Sequence, residues 1–201
     1  MPDFRIEAEH GGIVAGIDEA GRGPLAGPVI AAAVVLDGKA LDILEGVDDS
    51  KALSRRQREH LYDRITAVAW VGLGAASVLE IDRLNVLQAT FIAMARAVSN
   101  LGFTPDTALV DGNGLPDLPC TAHAIIAGDT SCLSIAAASV VAKVTRDRIM
   151  ASLARAYPVY GWDHNAGYAT AEHRAAIAAH GISRHHRRSF SPISQLSLLT
   201  L

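Results

Sequence analysis

Residues 16–28 read Gly16-Ile17-Asp18-Glu19-Ala20-Gly21-Arg22-Gly23-Pro24-Leu25-Ala26-Gly27-Pro28, and a second apolar run follows at residues 29–36. Two adjacent carboxylates close the first apolar run, and a glycine-rich turn carrying one arginine comes at once. A glycine-rich loop after a strand is a common cradle for phosphate, offered by backbone N–H groups. Here two negative charges stand where the phosphate would approach. A divalent cation between them removes the conflict, because carboxylates bind Mg²⁺ or Mn²⁺ and the metal binds phosphate. The stretch therefore points to metal-dependent chemistry on a phosphate backbone. The plainer alternative is a strand that ends in a polar hairpin turn.

The two apolar runs, 13–18 and 29–36, predict strands buried on both faces. Ser54-Arg55-Arg56-Gln57 matches a capping box and opens a helix to about residue 67. A third strand is expected over 68–76. Leu84, Leu87, Phe91, Met94, Ala95, Val98 and Leu101 recur at helical spacing, with Gly102 where a terminating glycine belongs. Short strands are expected at 107–110 and 121–127, then an alanine-rich helix over 133–156 stopped by Tyr157-Pro158. A helix over 170–180 follows, closed by Gly181. The order β-β-α-β-α-β-β-α gives an α/β fold, a central mixed sheet flanked by helices. We expect one domain spanning 1–201, with a catalytic core at about 12–156, a C-terminal helical extension at about 157–190 and a tail at 191–201.

The 201 residues carry a formal charge of −3, and half of them are apolar. Residues 24–36 form an uncharged stretch too short to span a bilayer. The first ten residues contain Asp3, Glu7 and Glu9 and no apolar core of a signal peptide. Cys120 and Cys132 lack metal-type spacing and read as small buried hydrophobes. A cytoplasmic enzyme is expected. Charge is uneven: residues 143–190 hold eight Lys or Arg against three acids, and five of the eight histidines. That asymmetry suits a nucleic-acid surface, although a solvated helix face gives the same count.

Three expected strands end at acids: Asp18-Glu19, Asp111 and Asp129, each near a glycine (Gly21, Gly112, Gly128). Ligands gather beside strand ends in open α/β sheets. Four carboxylates from three strand ends would make a two-metal site. Asp18 and Glu19 alternate faces on a regular strand, so both reach one cluster only if the strand bends there.

These residues resemble the signature of the type 2 ribonuclease H family. The likeness continues through Asp49-Ser50-Lys51, through residues 81–87, through Val110-Asp111-Gly112-Asn113 and through Gly128-Asp129 with the helix from Ser134 to Asp147. Tyr157-Pro158-Val159-Tyr160-Gly161-Trp162, Gly167-Tyr168 and His186-Arg187-Arg188-Ser189-Phe190 are similar to its C-terminal elements. The resemblance covers about residues 13–192. It implies the ribonuclease H fold and hydrolysis of the RNA strand of RNA–DNA hybrids. It also implies cutting 5′ to ribonucleotides embedded in duplex DNA, leaving 3′-OH and 5′-phosphate ends. Asp18, Glu19, Asp111 and Asp129 would be catalytic and bind two Mg²⁺ or Mn²⁺ ions. Gly21, Arg22 and Gly23 would contact the ribose 2′-OH, and Tyr168 would stack on the neighbouring deoxyribose. Ser50, Lys51, Lys143 and Arg146 are candidate substrate ligands; Lys143 and Arg146 stand three apart on one helix.

The chain departs from the family pattern in two stretches. Ala127 replaces the lysine usual before Gly-Asp, and Asn165-Ala166-Gly167-Tyr168-Ala169 stands where His-Lys-Gly-Tyr-Pro is usual. His164 is the neighbour that would compensate. Type 3 ribonuclease H, the nearest rival, carries a different glycine turn and an extra N-terminal domain. A junction resolvase would have no use for a 2′-OH sensor at Arg22, and a non-catalytic nucleic-acid module no use for the carboxylates. The tail, Gln195-Leu196-Ser197-Leu198-Leu199, resembles the short peptide by which bacterial proteins bind the sliding clamp; Gln195, Leu196, Leu198 and Leu199 would be its anchors. A monomer is expected.

Overall fold

The backbone of β1 (Val14–Ala20) lies at the centre of a five-stranded sheet of order β3-β2-β1-β4-β5. In the computed structural model, which describes residues 2–38 and 46–196, β2 (Val29–Val35) and β3 (Trp70–Ala76) extend the sheet antiparallel on one side. On the other side β4 (Thr107–Asp111) and β5 (Thr121–Ile125) run parallel to β1. The sheet is mixed, as the sequence order predicts. Every residue of β2 is buried, in keeping with its unbroken apolar run.

A short helix α1 (Arg5–His10) precedes the sheet. The capping box forms as expected, Ser54 and Gln57 exchanging hydrogen bonds at the start of α2 (Arg55–Val68). The helix expected around Leu84–Leu101 forms as α4 (Val86–Ser99), and a separate short helix, α3 (Val78–Leu84), precedes it. Asn85 separates them with φ of 73° and caps α4 by accepting from the amides of Leu87 and Gln88. Asparagine tolerates that left-handed φ and so can end one helix and begin the next. A second capping box, Ser77 with Glu80, opens α3.

Helix α5 (Leu133–Ala156) takes the bounds expected of it and is buried continuously from Leu133 to Ala142. It packs on one face of the sheet with Ala32, Val34 and α2, while α4 covers the other face with Ala15, Ile17, Ala31 and Val110. A Cβ at Gly16 would lie 2.2 Å from the Ser134 carbonyl carbon, so only glycine lets β1 approach the first turn of α5 this closely. Next come α6 (Trp162–Asn165), α7 (Ala171–His180) and α8 (Ile193–Leu196). Trp162, Tyr160, Met150, Leu25 and Ile193 form a third apolar cluster that fastens this extension to the core. Ile193 is buried, so the residues just past Phe190 are packed rather than the free tail expected from 191 onward.

Candidate active site

Asp18 sits near the end of β1 on the face that α5 covers. β1 keeps its register with β2 through Glu19↔Ala31 and Ala20↔Ile30, and the side chains of both Asp18 and Glu19 line one cleft. Asp111, the last residue of β4, shares the α5 face with Leu109 and reaches Asp18 across the parallel pair. Asp129 comes from the 3₁₀ turn Gly128–Thr130 that follows β5. One oxygen from each of Asp18, Asp111 and Asp129 lies within 4.8 Å of the others. Glu19 lines the same cleft but stands outside that triad, with Oε1 3.2 Å from the Arg22 guanidinium.

The crowding has an electrostatic signature. Burial raises Asp18 well above the usual carboxylate range, and the charges of Glu19 and Asp111 raise it further. Burial likewise raises Glu19, against the pull of Arg22, and raises Asp111, with Asp129 adding repulsion. Three convergent hard oxygen donors whose mutual repulsion Lys51 only partly offsets are what a divalent cation binds. These residues fit a metal site.

Short bonds hold the carboxylates in place. Asp18 Oδ1 accepts from the Glu19 amide at 2.7 Å, and Asp111 Oδ1 accepts from the Gly128 amide at 2.8 Å. The Ser139 hydroxyl on α5 hydrogen-bonds Asp18 and is itself 2.8 Å from the Ser50 hydroxyl. Ser50 and Ser139 are both buried, so Ser50 braces Asp18 through Ser139. Lys51 places Nζ 3.2 Å from Asp129 Oδ2 and 3.4 Å from Asp49 Oδ1. Desolvation lowers that ammonium, but the bond and charge of Asp129 outweigh it and raise Lys51 above the ordinary lysine range.

The glycine turn forms the wall of the cleft. Gly21 has φ of 101°, and a Cβ there would meet the Arg146 Nε at 2.1 Å. Tyr168 is half exposed, and a Cβ at Gly23 would touch its ring at 3.7 Å. The Tyr168 carbonyl accepts from His173 Nδ1 at 2.8 Å, which fixes the loop that carries the ring. Lys143 lines the cleft and pairs with Asp147 at 2.7 Å.

The Arg146 guanidinium is buried and donates to the carbonyls of Pro28, Ala166 and Ala26, all at 3.0 Å. It braces these loops while also lining the cleft. His164 does not replace the missing histidine: its ring nitrogens are held by Asp163 at 2.9 Å and Glu172 at 2.7 Å. Asn165 is buried, donating to the Tyr160 carbonyl and accepting from the Gly167 amide. Of the tail anchors, Gln195 is exposed, while Leu198 and Leu199 lie outside the described residues and Leu196 is described in its backbone alone. The sequence does not point to Arg187 or His173, because their burial between loops leaves no periodic signal.

A mixed five-stranded sheet with acids converging from β1, β4 and the turn after β5 defines the ribonuclease H-like class of nucleases. The family model described as Ribonuclease HII matches residues 15–193. Ribonuclease HII of Paramagnetospirillum magneticum is 59% identical over 98% of this chain and 100% of its own, and that of Granulibacter bethesdensis 55% over 98% and 91%. Among solved structures, ribonuclease H2 of Pyrococcus horikoshii superposes with a TM-score of 0.75 at 28% identity, covering 93% of this chain and 98% of its own. A complex of PCNA with ribonuclease HII from Archaeoglobus fulgidus gives 0.74 at 27%, covering 89% and 95%. The chain belongs to the ribonuclease HII family. It cleaves RNA in RNA–DNA hybrids and at single ribonucleotides embedded in DNA. No described helix is long and apolar enough to cross a membrane.

Proposed function

We propose that Asp18, Glu19, Asp111 and Asp129 bind two divalent ions, Mg²⁺ or Mn²⁺, and that hydrolysis leaves 3′-OH and 5′-phosphate ends. The observation that carries this reading is the triad of carboxylate oxygens within 4.8 Å. When bound, such ions supply Lewis-acid activation of the attacking water and relief of charge on the departing 3′-oxygen. The protein's own part is orientation. Ser139 and the Gly128 amide fix the carboxylates, and Lys51 and Lys143 offer positive charge to the phosphate backbone. The Gly21-Arg22-Gly23 turn contacts the 2′-OH of the ribonucleotide. Tyr168, exposed beside Gly23, stacks on the next deoxyribose and reads the RNA-to-DNA junction. The enzyme works as a cytoplasmic monomer.

The test compares an all-DNA duplex, a duplex with one ribonucleotide and a full hybrid, with and without Mg²⁺ or Mn²⁺. Metal-dependent cutting of the last two, 5′ to the ribonucleotide in the single-ribonucleotide duplex, supports the assignment. Cutting of all-DNA duplex at a similar rate overturns the ribose contact, and binding without cutting returns the protein to a non-catalytic module.

We also propose that Gln195, Leu196, Leu198 and Leu199 dock on the bacterial sliding clamp. The Archaeoglobus relative in complex with PCNA and the exposed Gln195 support this reading. The full chain and a Leu198→Ala/Leu199→Ala variant, titrated against purified clamp, decide it; equal binding, or none by either, removes the proposal.

A further inference from the structure

Arg187 is fully buried, and among the described residues it makes no ion pair within 4.0 Å. A buried guanidinium without a counter-charge is costly. Its donors go to main-chain carbonyls of the glycine turn. Nη1 donates to the Arg22 carbonyl at 2.8 Å, Nη2 donates to the carbonyls of Gly21 and Gly27, and Nε also donates to Gly27 at 3.0 Å. Burial, with Arg146 close by, lowers this guanidinium to about 9 against the pull of the Asp82 charge.

Peptide geometry converts these contacts into a statement about the cleft. In a trans peptide the C=O of one residue and the N–H of the next point in opposite directions. Carbonyls of Gly21 and Arg22 aimed inward at Arg187 therefore aim the amides of Arg22 and Gly23 outward. Arg22 and Gly23 line the cleft that holds the carboxylates. Among the described residues no backbone or side-chain acceptor takes either amide. Two adjacent, uncommitted N–H groups pointing the same way suit a single oxygen acceptor.

Arg187 is itself mounted on both sides. Its amide donates to the Leu25 carbonyl at 2.8 Å, and Asp82 accepts from the following amides of Arg188 at 3.0 Å and Ser189 at 2.9 Å. The C-terminal extension thus grips the turn through one side chain.

We propose that Arg187 is the positioning residue of the glycine turn, holding the Gly21 and Arg22 carbonyls inward so that the Arg22 and Gly23 amides face the sugar oxygen that distinguishes RNA from DNA. This rests on the reading of the turn as the 2′-OH contact. A lysine cannot serve, because a single ammonium lacks the planar fork that spans three carbonyls.

The experiment measures Kd for an all-DNA duplex and for the same duplex with one ribonucleotide, using wild type, Arg187→Lys and Asp82→Ala. Wild type prefers the ribonucleotide duplex. In Arg187→Lys that preference collapses by roughly tenfold, the order expected for losing a well-formed hydrogen bond to a charged donor network. Asp82→Ala removes two amide acceptors of the extension and a charge near the guanidinium but none of the fork's own bonds, so it loses thermal stability and keeps the preference. A wild type with no preference overturns the reading of the turn itself. A normal wild type with an unchanged preference in Arg187→Lys overturns the positioning role, as does an equal loss in Asp82→Ala. If Arg187→Lys does not fold, amide hydrogen exchange on Asp129→Asn protein bound to each duplex decides. Arg22 and Gly23 amides protected by the ribonucleotide duplex alone support the proposal; the absence of that protection overturns it.

Discussion

The Lys51 ammonium stands 3.2 Å from Asp129 Oδ2, at the edge of a triad that includes Asp129 itself. In the protein alone, Lys51 supplies the positive charge that a divalent ion would bring. The two compete for the same carboxylate.

Removing Lys51 therefore has opposite effects on metal and substrate. Lys51→Ala lets Asp129 bind Mn²⁺ several-fold more tightly, read by calorimetry. The same variant weakens the substrate and lowers the salt slope of binding by about one, since one phosphate contact is lost. Unchanged metal affinity would show that Lys51 swings clear of Asp129 before the ion arrives.

The carboxylates obey the same electrostatics. Asp18→Asn, Glu19→Gln, Asp111→Asn and Asp129→Asn each lower turnover by orders of magnitude while the protein stays folded. Burial and mutual repulsion raise Asp18 and Asp111 in the folded, metal-free protein. A carboxylate raised by folding destabilises the fold at neutral pH, so Asp18→Asn and Asp111→Asn raise the metal-free Tm by about 2–4 °C per kcal/mol relieved. Near wild-type turnover in any of the four removes that residue from the site.

What could be read from the sequence follows from physics that is local. The apolar run of β2, the Ser54-Gln57 box and the alanine-rich α5 depend on neighbours in the chain, and each formed where expected. Asp18, Asp111 and Asp129 were legible because strand ends are legible and sheets bring them together. The Asn85 break was hidden because the apolar period runs through it, and only the φ of one residue differs. The bracing bonds of Arg146 are hidden in the sequence because an arginine at helical spacing looks the same whether it faces solvent or three carbonyls. Arg187 and Glu7 act across more than a hundred residues of sequence, through packing that no window of the chain contains.

The extension contains a histidine pair whose protonation the fold resists. His173 Nε2 lies 3.1 Å from His186 Nε2 and also accepts from the Trp162 indole at 3.0 Å. His173 donates from Nδ1 to Tyr168, and His186 Nδ1 accepts from the Ser183 amide. Burial lowers both, and the charge of His173 helps to bring His186 to about 4. The unfolded chain binds a proton at about 6.5. As pH falls below that value the unfolded state gains protons that the folded state refuses, so stability drops. At pH 5 His186 alone accounts for about 2 kcal/mol, or a fall in Tm of roughly 4–8 °C from pH 7.5. Asp18, Glu19 and Asp111 act with the opposite sign, so the difference between wild type and His186→Gln isolates the histidine. The variant starts less stable at pH 7.5, and the gap narrows by pH 5; a gap that stays constant would mean that folded and unfolded states bind the His186 proton equally well.

Helix α5 carries the site, and its first turn is capped from another element. Cys132 stands at the N-cap position without a side-chain capping bond. Glu7 of α1 fills the role instead: Oε1 accepts from the Ser134 amide at 2.6 Å and from the Cys132 thiol at 3.2 Å. A carboxylate there also meets the positive end of the helix dipole. It pushes the neighbouring thiol up to about 12 together with the larger effect of burial, which keeps Cys132 protonated and able to donate. Glu7→Ala leaves the Ser134 amide unbonded in a buried place, at a cost of about 1–3 kcal/mol. The expected result is a Tm lower by roughly 2–12 °C. Glu7→Gln keeps the acceptor oxygen and loses the charge, so it recovers part of that deficit. Thermal unfolding followed by circular dichroism measures both. Because Ser139 braces Asp18 from the same helix, loosening the first turn of α5 also raises the Mn²⁺ concentration needed for half-maximal activity. A Glu7→Ala protein with wild-type Tm would mean that Cys132 and the α5 backbone hold the turn without help from α1.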